Sequence, residues 1–445
     1  MRCGAWVLAL GLFPAVVTAR AATHRVPSDY ATINHALEAS ASGDTVLVAP
    51  GTYSDWENRP GPGAGFSAAA FLVDGVTLRS EGGSAVTILD MQGEGLGSAS
   101  TIQARDLPSD GTTIEGFTIR GVHYPDSAIL AVNCGKVTVR DCRIFDVGIQ
   151  VPGTGAGALR SRDTDIEVVD CWFENCSGSG GAGISQLAGD VVVSDCAFLY
   201  CNERAVNLNG DPGLFYAAEF RDCVFLGNRA SQGGGGAALW ISDYGIGVTV
   251  DGCRFQDNAS TGMFGSGGAV SIYDRSRPVV FTNNVLLNNW LEGFGTGGTL
   301  KVGLQSGAVS ITRNTFYGSY SENAFGGSTI DLVGDIDVDF SNNVIAGGTS
   351  GQAAVVIQDV NMTSSCNVFW NNENAHTEGF PLSETDRVVD PEFCNAEAGD
   401  LTVSQTSPCL PANSLGCGLI GALGQGCGTV SIAPRSWGQV KSMYR

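Results

Sequence analysis

Short runs of β-branched and apolar residues recur along the chain between clusters of Gly, Asn and Asp, among them Val-Thr-Val from 137, Val-Val-Val from 191 and Val-Val-Phe from 279. They are too short for helices, and their residue types favour extended chain. Each run is followed by Cys or Asn, then two or three mostly apolar residues, then a small or amide residue five positions on, as in Cys223-Val-Phe-Leu-Gly-Asn228. The lead positions are Cys142, Cys171, Cys196, Cys223, Cys253, Asn284, Asn314, Asn343 and Asn367, spaced 24 to 31 residues apart. A repeat that absorbs insertions without losing register marks a solenoid. Most repeats carry a second run after a glycine cluster, such as Gly-Gly-Ala-Ala-Leu-Trp-Ile-Ser from Gly235. Two or three parallel strands per repeat predict an all-β fold, a right-handed parallel β-helix of about eleven coils.

Stacking equivalent positions ~4.8 Å apart turns the repeat into columns. Asn228, Asn258 and Asn289 are expected to form an asparagine ladder at a turn that tolerates left-handed geometry. The column from Cys142 to Cys253 is expected to hold buried free thiols. In-register Cβ atoms ~4.8 Å apart exceed the ~3.8 Å of a relaxed disulfide, and the same holds for Cys176 and Cys201. Phe173, Phe198, Phe225, Phe255, Phe316 and Phe369 should stack inside the coil.

A solenoid must close its ends. Residues 30–40 read as a short amphipathic helix with Ile33, Ala36 and Leu37 on one face, a plug over the first coil. Residues 43–53 supply the first strand and turn, residues 54–70 read as an exposed loop, and irregular coils lead to the regular repeats near Lys136. Cys394, Cys409, Cys417 and Cys427 lie in a repeat-free segment and predict a disulfide-stapled C-terminal cap. The expected organisation is a signal peptide over 1–21, the β-helix over 22–389, the Cys-rich cap over 390–428 and a basic, aromatic tail over 429–445. The leader implies a secreted or cell-surface protein.

Charge narrows the partners. With 24 Lys and Arg against 45 Asp and Glu, the chain carries a formal charge of −21, and a basic track for nucleic acid is missing. No stretch after the leader is apolar enough to span a membrane. An anionic polysaccharide would be repelled by the average surface unless a cation such as calcium bridged the two.

The opening, Tyr30-Ala-Thr-Ile-Asn-His-Ala-Leu37 followed by Gly43-Asp-Thr-Val-Leu-Val-Ala-Pro-Gly-Thr-Tyr53, resembles the N-terminal entry of pectin-lyase-like right-handed β-helix proteins. The paired motifs Gly-Gly-Ala-(Leu or Val) and Phe-x-x-Asn, at Gly235 with Phe225–Asn228 and at Gly267 with Phe255–Asn258, are similar to repeats of chlamydial polymorphic outer-membrane proteins. The resemblance covers about residues 24–375 and implies the fold. It leaves the activity open, because such folds carry lyases, hydrolases, esterases, epimerases and adhesins. Lyases of this fold pair calcium-binding Asp residues with an Arg base, and polygalacturonases carry a Gly-His-Gly. This chain has no Gly-His-Gly, and His24, His35, His123 and His376 are scattered.

Aligning the strands after the glycines gives one outward column of Arg160, Ser185, Asn207, Trp240, Ser271, Lys301 and Asp331, and a second of Arg162, Leu187, Asn209, Ser242 and Tyr273. Asp163, Asp190, Asp211, Asp243 and Asp274 follow at the strand ends. Arg160 and Arg162 are the candidate catalytic residues of a polysaccharide lyase or hydrolase, with the five Asp as candidate calcium ligands. Asn207, Trp240, Tyr273 and Lys301 are candidate glycan-binding residues. Noncatalytic binding by a rigid scaffold is the leading expectation, and turn chemistry alone also explains the Asp positions.

Overall fold

The computed structural model describes residues 20–427, apart from 61–65, 92–99, 123–126, 149–156, 179, 212, 232–233, 264, 276–277 and 323–325. The expected leader (but for Arg20 and Ala21), His123 and the 429–445 tail lie outside that description. The chain winds into a right-handed parallel β-helix with three main faces. Face 1 includes Ser100–Arg105, Leu159–Arg162, Leu239–Ser242 and Val270–Asp274. Face 2 includes Lys136–Arg140, Asp165–Val169 and Val279–Thr282. Face 3 includes Arg143–Phe145, Trp172–Glu174, Ala197–Leu199 and Val368–Trp370 within an unbroken 13-stranded sheet. A ledge of five two-residue strands, starting at Arg229–Ala230, leads back toward face 1. From Leu300 the corner between faces 1 and 2 survives only as bulges inside long strands, Leu300–Thr312, Gly327–Ser341 and Ala353–Ser365.

Two corners flank face 3, and at each the chain turns on a left-handed residue placed one position before the repeat's marker. Asp141, Asp170, Asp195, Asp222, Gly252, Asn283, Arg313 and Asn342 precede the first column, and Gly227, Asp257 and Asn288 precede the second. The ladder asparagines are thus freed from the turn conformation, a shift of one residue from the sequence expectation. Their side chains point inward and are buried. Asn228 Nδ2 donates to Asn258 Oδ1 at 2.9 Å, and Asn258 donates to Asn289 at 2.9 Å. A second ladder continues the cysteine column through Asn284, Asn314, Asn343 and Asn367, with 3.0 Å steps, and ends on Asp386.

Cysteines fill the same slot in the earlier coils. Cys171, Cys196 and Cys223 donate to the carbonyls of Val139, Val168 and Val193, where Asn284, Asn314 and Asn343 use Val250, Phe281 and Ile311. All eight cysteines from Cys134 to Cys253 are buried and free, as is Cys409. Phe173, Phe198, Phe225 and Phe255 stack 4.8 to 4.9 Å apart. Leu286 and Ile345 take the same position in later coils, so Phe316 and Phe369 stand apart from that stack.

The plug forms as expected: Ile33–Glu38 is helical, Thr32 caps it, and Ile33, Ala36 and Leu37 are buried. Residues 54–70 depart from the loop expectation. Glu57–Arg59 pairs antiparallel with Phe66–Ala68, and Ala68 and Ala70 are fully buried. Their small side chains fit beneath the plug, where Asn34 donates to the Ala68 carbonyl at 3.2 Å and accepts from the Phe71 N–H at 2.8 Å.

The Cys-rich C-terminal segment folds back along the outside of face 3. Leu401 packs on Val285 and Leu287, while Val403 and Ile420 pack on Val344, Ala346 and Val368. Cys366–Cys417 ties this strap to the last coils, and Cys394–Cys427 closes it internally. Cys409, expected among the stapled residues, is buried and unpaired in its place.

Candidate functional site

Register places both predicted columns on the outer side of face 1. Arg160, Ser185, Asn207, Trp240, Ser271, Lys301 and Asp331 follow one another coil by coil, and so do Arg162, Leu187, Asn209, Ser242 and Tyr273. Access differs along them, because the glycine-rich segments that precede the strands fold over the first column. Asn207 is 7 % exposed and donates to the Gly180 carbonyl at 2.7 Å. Lys301 lies 2.8 Å from Asp331, both side chains under 10 % exposed. These two candidate binding residues therefore serve the scaffold and are withdrawn from a ligand.

Trp240 has the Arg204 guanidinium 4.8 Å from its ring and Tyr273 at 4.9 Å. Tyr273 in turn lies across Gly303, where a Cβ would stand 3.2 Å from the ring. Burial pushes the Tyr273 phenol above its ordinary pKa. The aromatic pair is half-buried in packing with its own chain.

The first coils are different. Arg160 and Arg162 are exposed, Arg162 Nε lying 3.5 Å from Asp163. Arg105 stands in the Arg162 column two coils earlier, with Val132 between them. Its guanidinium sits 4.1 Å over the Phe66 ring, as that of Arg59 sits 4.2 Å over Phe71. Burial lowers the Arg105 pKa, Asp106 opposes the shift, and the charge of Arg160 adds to it. Face 1 therefore gathers cationic groups on a strongly acidic chain. Sequence alignment missed Arg105 because its coil precedes the Cys/Asn marker, and Arg204 because it lies in the turn before its strand.

The five aspartates do not form one row. Asp163 and Asp243 are left-handed at equivalent corner positions, but Ala188 and Gly210 stand there in the coils between them, and Asp274 ends the strand Val270–Asp274 instead. Three steps of ~4.8 Å are far beyond the reach of one ion. Asp190 instead opens face 2, its N–H bonded to Asp165 at 2.8 Å and its carboxylate to the Ala217 N–H at 2.8 Å. Asp211 accepts from the Gly213 N–H within its own turn. The Asp274 side chain lies outside the description. Among the described residues no group of three or more His, Cys, Asp or Glu converges as a metal site, and no helix is long and apolar enough to cross a membrane.

A family model described as the right handed beta helix region matches residues 107–286, which include the face 1 strands from Ser127–Val132 to Val270–Asp274. No curated protein matches the chain.

Proposed function

We propose that this protein is an exported, noncatalytic β-helix scaffold that binds an anionic glycan along the first coils of face 1. One observation carries the reading: Arg160 and Arg162 share a coil, and Arg105 stands in the Arg162 column two coils earlier, on a chain whose formal charge is −21. Net charge sets the far field, whereas a ligand lying on the sheet meets the groups within a Debye length, ~8 Å at physiological salt. Arginine forks match carboxylate and sulfate oxygens in pairs. The backbone beneath is held by continuous ladders, so little ordering accompanies binding.

The same guanidiniums support a second reading, a polysaccharide lyase, because the lyases that the chain resembles use an Arg on a strand face as the proton-abstracting base. Titration calorimetry with polygalacturonate and heparin-derived oligosaccharides, alongside a product-release assay with calcium and with chelator, separates the two. The scaffold predicts saturable binding without turnover, weakened about tenfold, ~1.4 kcal/mol, in the Arg160→Ala/Arg162→Ala double variant. Unsaturated products would establish the lyase instead, and binding that ignores the double variant would remove the site.

A further inference from the structure

On the other side of the solenoid, the corner that ends face 3 holds a cavity of about 530 Å³ lined by Arg143, Phe145, Asp146, Glu174, Asn175 and Tyr200. The corner position one residue before the second column is left-handed in every coil from Asp146 to Asn371, and it is filled by Asp, Asn or Gly except in one. Tyr200 holds that backbone, with φ 53°, in the place where Asp146, Asn175, Gly227, Asp257 and Asn288 stand in its neighbours. A bulky aromatic is a poor occupant of left-handed geometry, and the fold does not require one here. The next coil accommodates it: Gly227 lies so close that a Cβ there would be 2.7 Å from the Tyr200 ring. One side of the ring is thus seated on backbone, yet the residue remains 56 % exposed and lines the cavity.

The polar groups around the ring are held in place. Trp172 Nε1 donates to Glu174 Oε2 at 2.9 Å, and Asn175 Nδ2 donates to Asp146 Oδ1 at 2.6 Å. Arg143 stands 5.8 Å from the Trp172 ring in the same wall. We propose that this cavity binds a neutral pyranose ring of a glycan. A pyranose presents a flat C–H face and a belt of hydroxyls. The Tyr200 ring receives the face, the Asp146 and Glu174 carboxylates accept from hydroxyls, and Arg143 donates to them. The two carboxylates oppose an anionic sugar, so this site and the arginines of face 1 select different ligands and stand independently.

The test is binding of neutral cello-, xylo-, manno- and chito-oligosaccharides of four to six sugars to the full chain, followed by calorimetry and tyrosine fluorescence. The informative variant is Tyr200→Asn, because asparagine suits the left-handed corner and should leave the melting temperature unchanged or raised. At least one neutral oligosaccharide should bind, with affinity reduced about tenfold or more in Tyr200→Asn and in Glu174→Gln and unchanged in Arg160→Ala/Arg162→Ala. Retention of none of them, or binding indifferent to both face 3 variants, would overturn the proposal.

Discussion

Cysteine gives way to asparagine along one column, and the two residues carry different shares of the fold. Asn314 accepts from the Asn284 backbone N–H at 2.9 Å and from its side-chain amide at 3.0 Å, while donating to the Phe281 carbonyl at 2.8 Å. In Asn314→Ala these three groups, and the Asn343 Oδ1 to which the Asn314 amide also donates at 3.0 Å, each lose a buried partner, at a cost of about 1–3 kcal/mol for each group left stranded. Neighbouring amides can rotate to recover part of this, so the expected net loss is about 4 kcal/mol. Cys196 makes the equivalent contacts with longer, weaker bonds, accepting from the Cys171 N–H at 3.4 Å and donating to Val168 at 3.6 Å. Cys196→Ala should cost about 1.5 kcal/mol, mostly lost packing. Denaturant unfolding of both variants checks the ratio; equal losses would show that the amide ladder adds nothing beyond filling space.

At the scale of elements, the strap is the least expected feature and the most separable one. It shields Val285, Leu287, Val344, Ala346 and Val368, each no more than 7 % exposed, and Cys366–Cys417 closes a separation of 51 residues. Loop closure of that length stabilises by about 4 kcal/mol. Cys366→Ser should therefore let the strap open while the coils persist, seen as enhanced dye binding to the uncovered face and early proteolytic cuts near residues 404–416. A single cooperative collapse with no surviving coil fragment would contradict this. The coils themselves were readable in the sequence because from Cys142 to Asn367 every residue of the first marker column is Cys or Asn. The earliest coils looked irregular because Phe117 occupies the marker position ahead of Cys142, although its strands keep register. The strap was unreadable for another reason: its partners on face 3, such as Val285 and Leu287, alternate with core residues in three-residue strands too short to reveal a second buried side. Burial of Asn207 and Lys301 was hidden likewise, since outward direction follows from alternation but coverage by a neighbouring segment does not.

For the whole molecule, the acidic body and the arginine patch of face 1 act on an anionic glycan with opposite signs and different ranges. At 0.01 M salt the Debye length is ~30 Å, so an approaching polyanion feels most of the 45 acidic residues at once. Near 0.1 M it is ~10 Å, short enough to hide the remote carboxylates yet long enough to leave Arg105, Arg160 and Arg162 effective. At 1 M it is ~3 Å and the patch is screened as well. Affinity measured across this range should therefore rise, pass through a maximum at roughly 0.1 M, and fall. The Arg160→Ala/Arg162→Ala variant should show a shallower falling limb, because of the three arginines only Arg105 then remains to be screened. A steady fall from the lowest salt would mean that the glycan feels the local patch alone. Strengthening that continues to 1 M would mean that apolar contact, rather than the arginines, holds the ligand on face 1.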